Sequence, residues 1–311
     1  MRERTDGYAP MTLPTSSVLA GIVFAGVFAG SGLVGAAHAD TLDASGLEAY
    51  FANWDQRVAA ARASQPEWSS PIVTTTGMLE ERVRVDTSFQ RSGNGTSTTN
   101  LDGGKGVDLI ITDSDELQIA ADPYVIRSAN EAGKNNLEGF NDWPVLRLKH
   151  RLLSSPASED NYVVSVWLQG QVPTGIGKLT NHAFTLLPTL GAGKGWGDFD
   201  IQGTIGGVIP TAHEDKLGDQ VTGNLALQYH LLRVFWPQIE VNWTYYPDGP
   251  RGGKNQVYLT PGVVIGRLPI TDRLRVTIGV GYQSAVAPTY RASPQTPAYN
   301  SAWIISTRLN F

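Results

Sequence analysis

The sequence predicts an all-β protein: a transmembrane antiparallel up-and-down β-barrel of about twelve strands, preceded by an N-terminal amphipathic helix. Three observations carry the prediction. Residues 1–39 have the build of an export signal, period-2 alternation runs from residue 79 to the last residue, and one row of the alternating side chains is almost free of charge. The 34 glycines and 18 prolines among 311 residues suit a chain with many corners. A net charge of -5 without long runs of one sign gives no footing for a nucleic-acid partner. With no cysteine, disulfides, thiolate catalysis and cysteine-ligated zinc are excluded.

In residues 1–39, Arg2 and Arg4 precede the apolar stretch SVLAGIVFAGVFAGSGLVGAA, and Ala37-His38-Ala39 places small residues at the cleavage positions, so the mature chain is expected to begin at Asp40. Glu3 and Asp6 dilute the basic start, and Met11 is an alternative first residue. Beyond residue 39 no stretch reaches the roughly eighteen apolar residues of a spanning helix, so an exported chain that enters a membrane has to do so as a closed barrel. Residues 40–78 are expected to form a periplasmic or plugging helix segment. Leu47, Tyr50, Phe51, Trp54, Val58 and Ala61 recur at helical spacing between residues 43 and 64, and Pro66 follows. The stripe can dock on the barrel rim or inside the lumen.

The barrel is expected over residues 79–311, with strands at about 80–91, 107–112, 117–127, 143–153, 161–172, 184–193, 198–210, 221–231, 237–246, 256–266, 274–284 and 301–311. Connections alternate in length. GNGTSTTNLDGGKG is long and DSDE short, and the same alternation continues to the long VAPTYRASPQTPAYN before the last strand. Long loops at one end and tight turns at the other mark an outer-membrane barrel with an even strand count. A β-sandwich also alternates along its strands, but its loops have no reason to alternate in length.

The two faces give a harder test, because a charge facing lipid costs about 2–4 kcal/mol at the bilayer midplane. Tyr162, Val164, Val166 and Leu168 form one clean row, as do Ile239, Val241, Trp243 and Tyr245, and Leu274, Val276, Ile278, Val280 and Tyr282. The opposite row, expected to line the pore, holds Arg82, Arg84, Asp108, Asp122, Arg147, Lys149, Arg151, Trp167, Asp198, Asp200, Glu240, Arg275 and Arg308. Within these spans Arg127, at a strand's outer tip, and His150 sit awkwardly on the apolar row. Asp108 and Asp122 are expected to oppose each other, compensated by Arg82, Arg84 and the ladder Arg147, Lys149, Arg151, with Arg147 near the Trp167 ring. This cluster is either internal filling or a selective constriction. The last strand, SAWIISTRLNF, puts Trp303, Ile305, Thr307, Leu309 and Phe311 on the lipid side. Such a strand with a final Phe311 resembles the signal that barrels present to their assembly machinery.

A more particular likeness lies in VPTGIGKLTNHAFTLLPTLGAGKGWGDFDIQGTIGGVIPT, followed by YLTPGVVIGRLPITDRLRVTIGVGYQ. Pro173, the Gly197-Asp198 step and the late GVGYQ strand resemble the meta-pathway phenol-degradation family of outer-membrane β-barrel transporters. The resemblance covers a little under half of the chain and implies passage of small, often hydrophobic or aromatic compounds. It supplies no catalytic or binding residues.

The glycines of GAGKG at 191–195 are expected in a tight turn and not in a phosphate loop, since Lys194 is followed by Gly195 and Pro188 stands where the leading glycine is needed. Of the histidines, His182 and His213 fall in loops, and His150 could act as a base only beside a serine on a neighbouring strand. No two histidines share the spacing of a metal site, so no metal, cofactor or catalytic residue is expected. The reading is a channel of the Gram-negative outer membrane for passive uptake of small molecules. Its expected partners are outer-membrane lipid, the barrel-assembly machinery and a small solute. A barrel enzyme acting on lipid or peptide and a closed structural barrel are the alternatives.

Overall fold

The computed structural model describes residues 44–102, 105–128, 136–232, 234–288 and 298–311. The expected export signal lies outside them. The chain divides into two compact units, Met1–Ala49 and Tyr50–Phe311. The first enters the described residues only as the opening of helix α1 (Ala44–Ala52). The expected single helix is interrupted at Asn53, after which α2 (Trp54–Ala63) begins. An extended segment then leads into the barrel.

Among the described residues, fifteen strands form one sheet: β1 (Arg82–Arg91), β2 (Ser97–Leu101), β3 (Gly106–Ile110), β4 (Asp115–Ala120), β5 (Tyr124–Ser128), β6 (Leu137–Phe140), β7 (Trp143–Ser155), β8 (Tyr162–Val172), β9 (Thr185–Trp196), β10 (Phe199–Pro210), β11 (Gln220–Tyr229), β12 (Phe235–Tyr246), β13 (Lys254–Pro269), β14 (Arg275–Ala287) and β15 (Ser301–Asn310). Neighbours pair antiparallel, and β15 bonds to both β14 and β1, which closes the wall. Nine strands run uninterrupted. The other six combine as β2 with β3, β4 with β5 and β6 with β7, each pair making one broken span, so the barrel has twelve spans. The break after Leu101 and those at 121–123 and 141–142 are bridged by Asp102 N to Asp86 O at 2.7 Å, Ala121 N to Lys105 O at 2.6 Å and Asn141 N to Pro123 O at 2.8 Å. Polar backbone therefore stays paired where the strands bend.

Two stretches expected to be loop are strand. β2 and β6 extend the wall at its loop end, and the first connection there shrinks to residues 92–96. The cause is the Asn94-Gly95 step: Gly95 adopts φ 82°, and Ser92 N bonds Thr96 O at 2.9 Å. The turns at 111–114, 156–161, 197–198 and 270–274 and the connection closed by the Leu231–Phe235 bridge share the opposite end, here the turn end.

The alternation of faces follows the sequence pattern. On β8, Val163, Ser165 and Trp167 are buried while Val164 and Val166 are not. Leu225, Ile239, Val241, Ile278, Trp303 and Ile305 are exposed on the outer wall, and their inward neighbours Ala226, Glu240, Thr277, Ala302 and Ile304 are buried. Helix α2 caps the turn end, where Val58 and Ala61 pack with Leu79 and Ile110. Arg62 ties it down by donating to Glu81 O at 3.1 Å and Phe311 O at 2.8 Å.

Candidate functional site

The interior of the barrel is occupied by its own chain. Helix α2 remains at the rim, and what fills the lumen is the extended segment behind it, residues 65–80, most of it buried. The helix was expected on the rim or inside the lumen; the chain found inside the lumen is extended. Pro66 and Pro71 in this stretch remove amide donors and disfavour helix.

An extended segment without a ladder of its own must find partners for its backbone elsewhere. Here inward side chains of the wall supply them. Glu240 accepts from three consecutive amides, Ile72 N at 2.8 Å and Val73 N at 2.9 Å on Oε1 and Thr74 N at 2.6 Å on Oε2. Arg84 donates to Ile72 O at 2.5 Å, and Arg308 donates to Ser70 O and, at 2.7 Å, to Pro71 O. Gln202, Ser165 and Lys149 reach Ser69 O, Gly77 O and Met78 O at 2.9, 2.5 and 2.9 Å. Gln65 adds a reciprocal pair with the Leu79 backbone at 2.8 and 2.9 Å.

Two apolar anchors complete the fit. Ile72 packs with Trp236, Val264, Ala302 and Ile304, and Trp68 with Met78 and Val163. Both sit against inward glycines. A Cβ on Gly262 would lie 2.6 Å from Ile72 Cδ1, and one on Gly193 would lie 2.5 Å from Trp68 Cζ3. GAGKG is therefore not a turn. It lies within β9, and its alternate glycines clear space for the Trp167 and Trp68 rings.

The charge cluster forms with altered membership. Arg82 Nε meets Asp108 Oδ2 at 2.8 Å, Arg147 Nη2 lies 3.2 Å from both Asp108 Oδ1 and Glu116 Oε1, and Lys149 Nζ meets Glu116 Oε2 at 2.9 Å. Gln118 donates to Asp108 Oδ1 at 2.7 Å. Arg82 also pairs with Glu80 of the internal segment. Arg151 turns to α2 and the rim, donating to Ala61 O at 2.8 Å and Asp113 O at 2.5 Å. Arg84 closes on Asp86 at 2.8 Å.

Of the residues expected along the pore, Arg82, Arg84, Asp108, Arg147, Lys149, Arg151, Trp167, Asp200, Glu240 and Arg308 are buried inside the wall. Three are not. Asp122 is exposed in the break between β4 and β5: the tight turn spans 111–114, so Asp108 opposes Gln118 instead. Asp198 is exposed in the two-residue turn before β10, and Arg275 is exposed at the first position of β14. The aromatic contact also shifts by one inward position. Lys149 pairs with Trp167 across β7 and β8, its Nζ 5.7 Å from the ring, while Arg147 faces Gln169. Glu116, Glu80 and Gln118 escaped the sequence reading because Glu116 fell in the assumed turn, although it shares the inward parity of Gln118.

At the turn end, Glu81 accepts from Trp54 Nε1 at 2.9 Å and Ile110 N at 2.7 Å, yet burial outweighs these donors and raises its carboxyl above the usual range. Burial likewise lowers the Arg62 guanidinium, against the pull of Glu80 and Glu81. His150 is half-exposed on the outer wall with Nδ1 2.8 Å from Asp115 Oδ1. Its hydrogen bond is to a carboxylate and not to the serine a nucleophilic pair would need.

The sequence matches no protein-family model and no curated protein. Among solved structures, the barrel is similar to the crystal structure of an outer membrane channel from Pseudomonas putida F1, at 13% identity and a TM-score of 0.51 over 78% of this chain and 100% of that one. The NanC porin superposes at 9% identity and a TM-score of 0.42 over 73% and 98%. The likeness to the Pseudomonas channel extends to the fold.

Proposed function

We propose that the chain is an outer-membrane channel of a Gram-negative bacterium for passive uptake of small molecules, held shut in this conformation by residues 65–80. The apolar outer rows suit lipid, and the polar inner rows suit a water-filled path once the segment withdraws. The turn end then faces the periplasm, where Phe311 ends the strand that the assembly machinery would recognise. Arg82, Arg84, Asp108, Arg147, Lys149 and Arg308 would line the opened path and set a transverse field on passing solutes. The resemblance to the phenol-degradation family favours hydrophobic or aromatic compounds as cargo.

The observation that carries this reading is the nature of the filling. It is a separate stretch of chain, and its backbone is held by wall side chains through hydrogen bonds that water can replace. A barrel shut by its own wall residues would have no such removable part.

The test is solute flux into liposomes, run beside lipid hydrolysis, for the wild-type protein and for Glu240→Ala/Arg308→Ala. Flux that rises at least tenfold in the variant, without hydrolysis, is expected. No flux from either protein would make this a closed structural barrel, and hydrolysis would make it an enzyme.

A further inference from the structure

Ile72 of the internal segment is 1% exposed, and the wall is hollowed to receive it. Three inward glycines form the floor. A Cβ on Gly262 of β13 would lie 2.6 Å from Ile72 Cδ1, one on Gly281 of β14 3.2 Å from the same atom, and one on Gly279 3.1 Å from Cγ1. Gly262 and Gly281 are paired across the two strands. Trp236, Val264, Ala302 and Ile304 make the sides. Glycine inside a strand gives up packing and marks a place where something else approaches closely. Here the hollow holds one branched aliphatic side chain.

The mouth of the hollow grips the backbone on either side of that side chain. Glu240 accepts from the amides of Ile72, Val73 and Thr74, Arg84 donates to Ile72 O, and Arg308 donates to Ser70 O and Pro71 O. Glu240 accepts besides from Gln238 Nε2 at 2.6 Å, and Arg308 Nε donates to Ser306 Oγ at 3.1 Å. Among the described residues neither Glu240 nor Arg308 takes part in a salt bridge. Two buried charges are therefore given over to neutral peptide groups, which they hold by charge-assisted hydrogen bonds. A permanent filling needs no charge for this: Gln202 and Gln65 hold Ser69 and Leu79 as uncharged amides. Charged groups hydrate well when their partner leaves, as suits a site whose occupant exchanges.

We propose that the hollow and its charged mouth bind an external amide of a branched apolar amino acid, as in a short hydrophobic peptide, and that residues 70–74 occupy the site as a tethered competitor. The present occupant defines the selectivity. A branched aliphatic side chain fills the glycine floor, neighbouring N–H groups reach Glu240, and a carbonyl reaches Arg84. The inference rests on the channel reading, since the segment must withdraw for such a ligand to enter. A competitor within the same chain has a high effective concentration, so the apparent affinity falls by the fraction of barrels in which the seat is free. A bound ligand in turn holds the segment out, and a solute that fits the seat opens its own path.

Calorimetric titration of N-acetylisoleucinamide into the full-length protein in detergent tests this, with N-acetylglycinamide (amides without the side chain) and 2-methylbutanol (the branched group without amides) as comparators. Ile72→Ala weakens the competitor and should bind N-acetylisoleucinamide saturably, at least tenfold more tightly than wild type and than it binds either comparator. Gly281→Val also unseats Ile72 but fills the floor, so it should lose binding. Two variants that both loosen the segment thus differ in opposite directions. Bound ligand should also expose residues 65–80 to limited proteolysis. Folding is checked by heat-modifiable gel mobility, with Ile72→Val and Gly279→Val as substitutes for a variant that does not fold. The proposal is overturned by an absence of saturable heat in the folded Ile72→Ala protein, by equal binding of a comparator, or by unchanged binding in Gly281→Val. Binding without the proteolytic exposure overturns it too, since the ligand would then fill a cavity beside the segment. Liposome flux is measured without this ligand: flux without binding removes the site and leaves the channel, and binding without flux does the reverse.

Discussion

Lys149 and Glu116 face each other across β7 and β4, Nζ 2.9 Å from Oε2, with neither side chain exposed. The same two groups hold the internal segment: Lys149 donates to Met78 O at 2.9 Å, and Glu116 accepts from Glu80 N at 2.8 Å. Wall and filling thus share one ion pair. Removing one member strands a buried charge, at a cost of about 3–5 kcal/mol, whereas replacing both with apolar groups of similar size does not. Lys149→Met is expected to lower stability by about that amount, and Lys149→Met/Glu116→Leu to recover most of it, as measured by denaturant unfolding in detergent. Equal losses in the single and double variants would show that the pair does not act as a unit.

Glu240 holds three amides of the segment with its two oxygens, so on the proposed channel reading its loss loosens the filling most directly. Glu240→Ala should leave assembly near wild-type level and raise single-channel open probability at least tenfold. Unchanged conductance in planar bilayers would place the barrier to passage elsewhere.

The seat of Trp68 makes a paired test. A methyl group at Gly193 cannot coexist with the indole as placed, and overpacking of this kind costs about 1–3 kcal/mol. Gly193→Ala should expose residues 65–80 to limited proteolysis. Adding Trp68→Leu should restore protection, and additive effects of the two changes would argue that the ring does not rest on the glycine.

The two faces of the wall predict opposite responses to the same side chain. Val166→Arg and Ile278→Arg, on the outer row, should lose about 2–4 kcal/mol of stability in lipid and assemble poorly. Thr222→Arg, on the inner row of β11, should assemble nearly as well as wild type. The check is the folded fraction recovered from the outer membrane, and comparable losses in all three would mean that the faces are misassigned.

Native cysteine is absent, so introduced thiols report orientation cleanly. Lys178→Cys and Gly252→Cys, exposed at the loop end, should react with an impermeant reagent on intact cells. Ala157→Cys and Thr271→Cys, exposed at the turn end, should react only after lysis. The reverse pattern would invert the barrel in the membrane.

The wall was legible in the sequence because lipid leaves little freedom. One row of each strand has to be apolar, and Val164, Val166, Ile239 and Ile278 announce it. Asn94-Gly95 was an equally plain hairpin signal, hidden by the polar run around it. The internal segment was not legible. Residues 65–80 have no period, because their conformation is set by partners distant in sequence, such as Glu240, 168 positions from Ile72. Register errors account for the rest. Placing the first tight turn two residues late moved Glu116 out of the wall and brought Asp122 opposite Asp108, where Gln118 stands.

Arg308 lies on β15 and grips Ser70 O and Pro71 O, 238 and 237 positions earlier in the chain, while β15 itself zips onto β1. The last strand therefore meets residues 70–91 twice, once along the seam and once in the interior. Contacts of such separation are slow to form. Residues 65–80 are tethered directly to β1, so a curling sheet can sweep them inward before its edges join. Closing the β15–β1 seam therefore also brings Arg308 to Ser70 and Pro71, so the bond that completes the wall and the bonds that hold its filling depend on one strand.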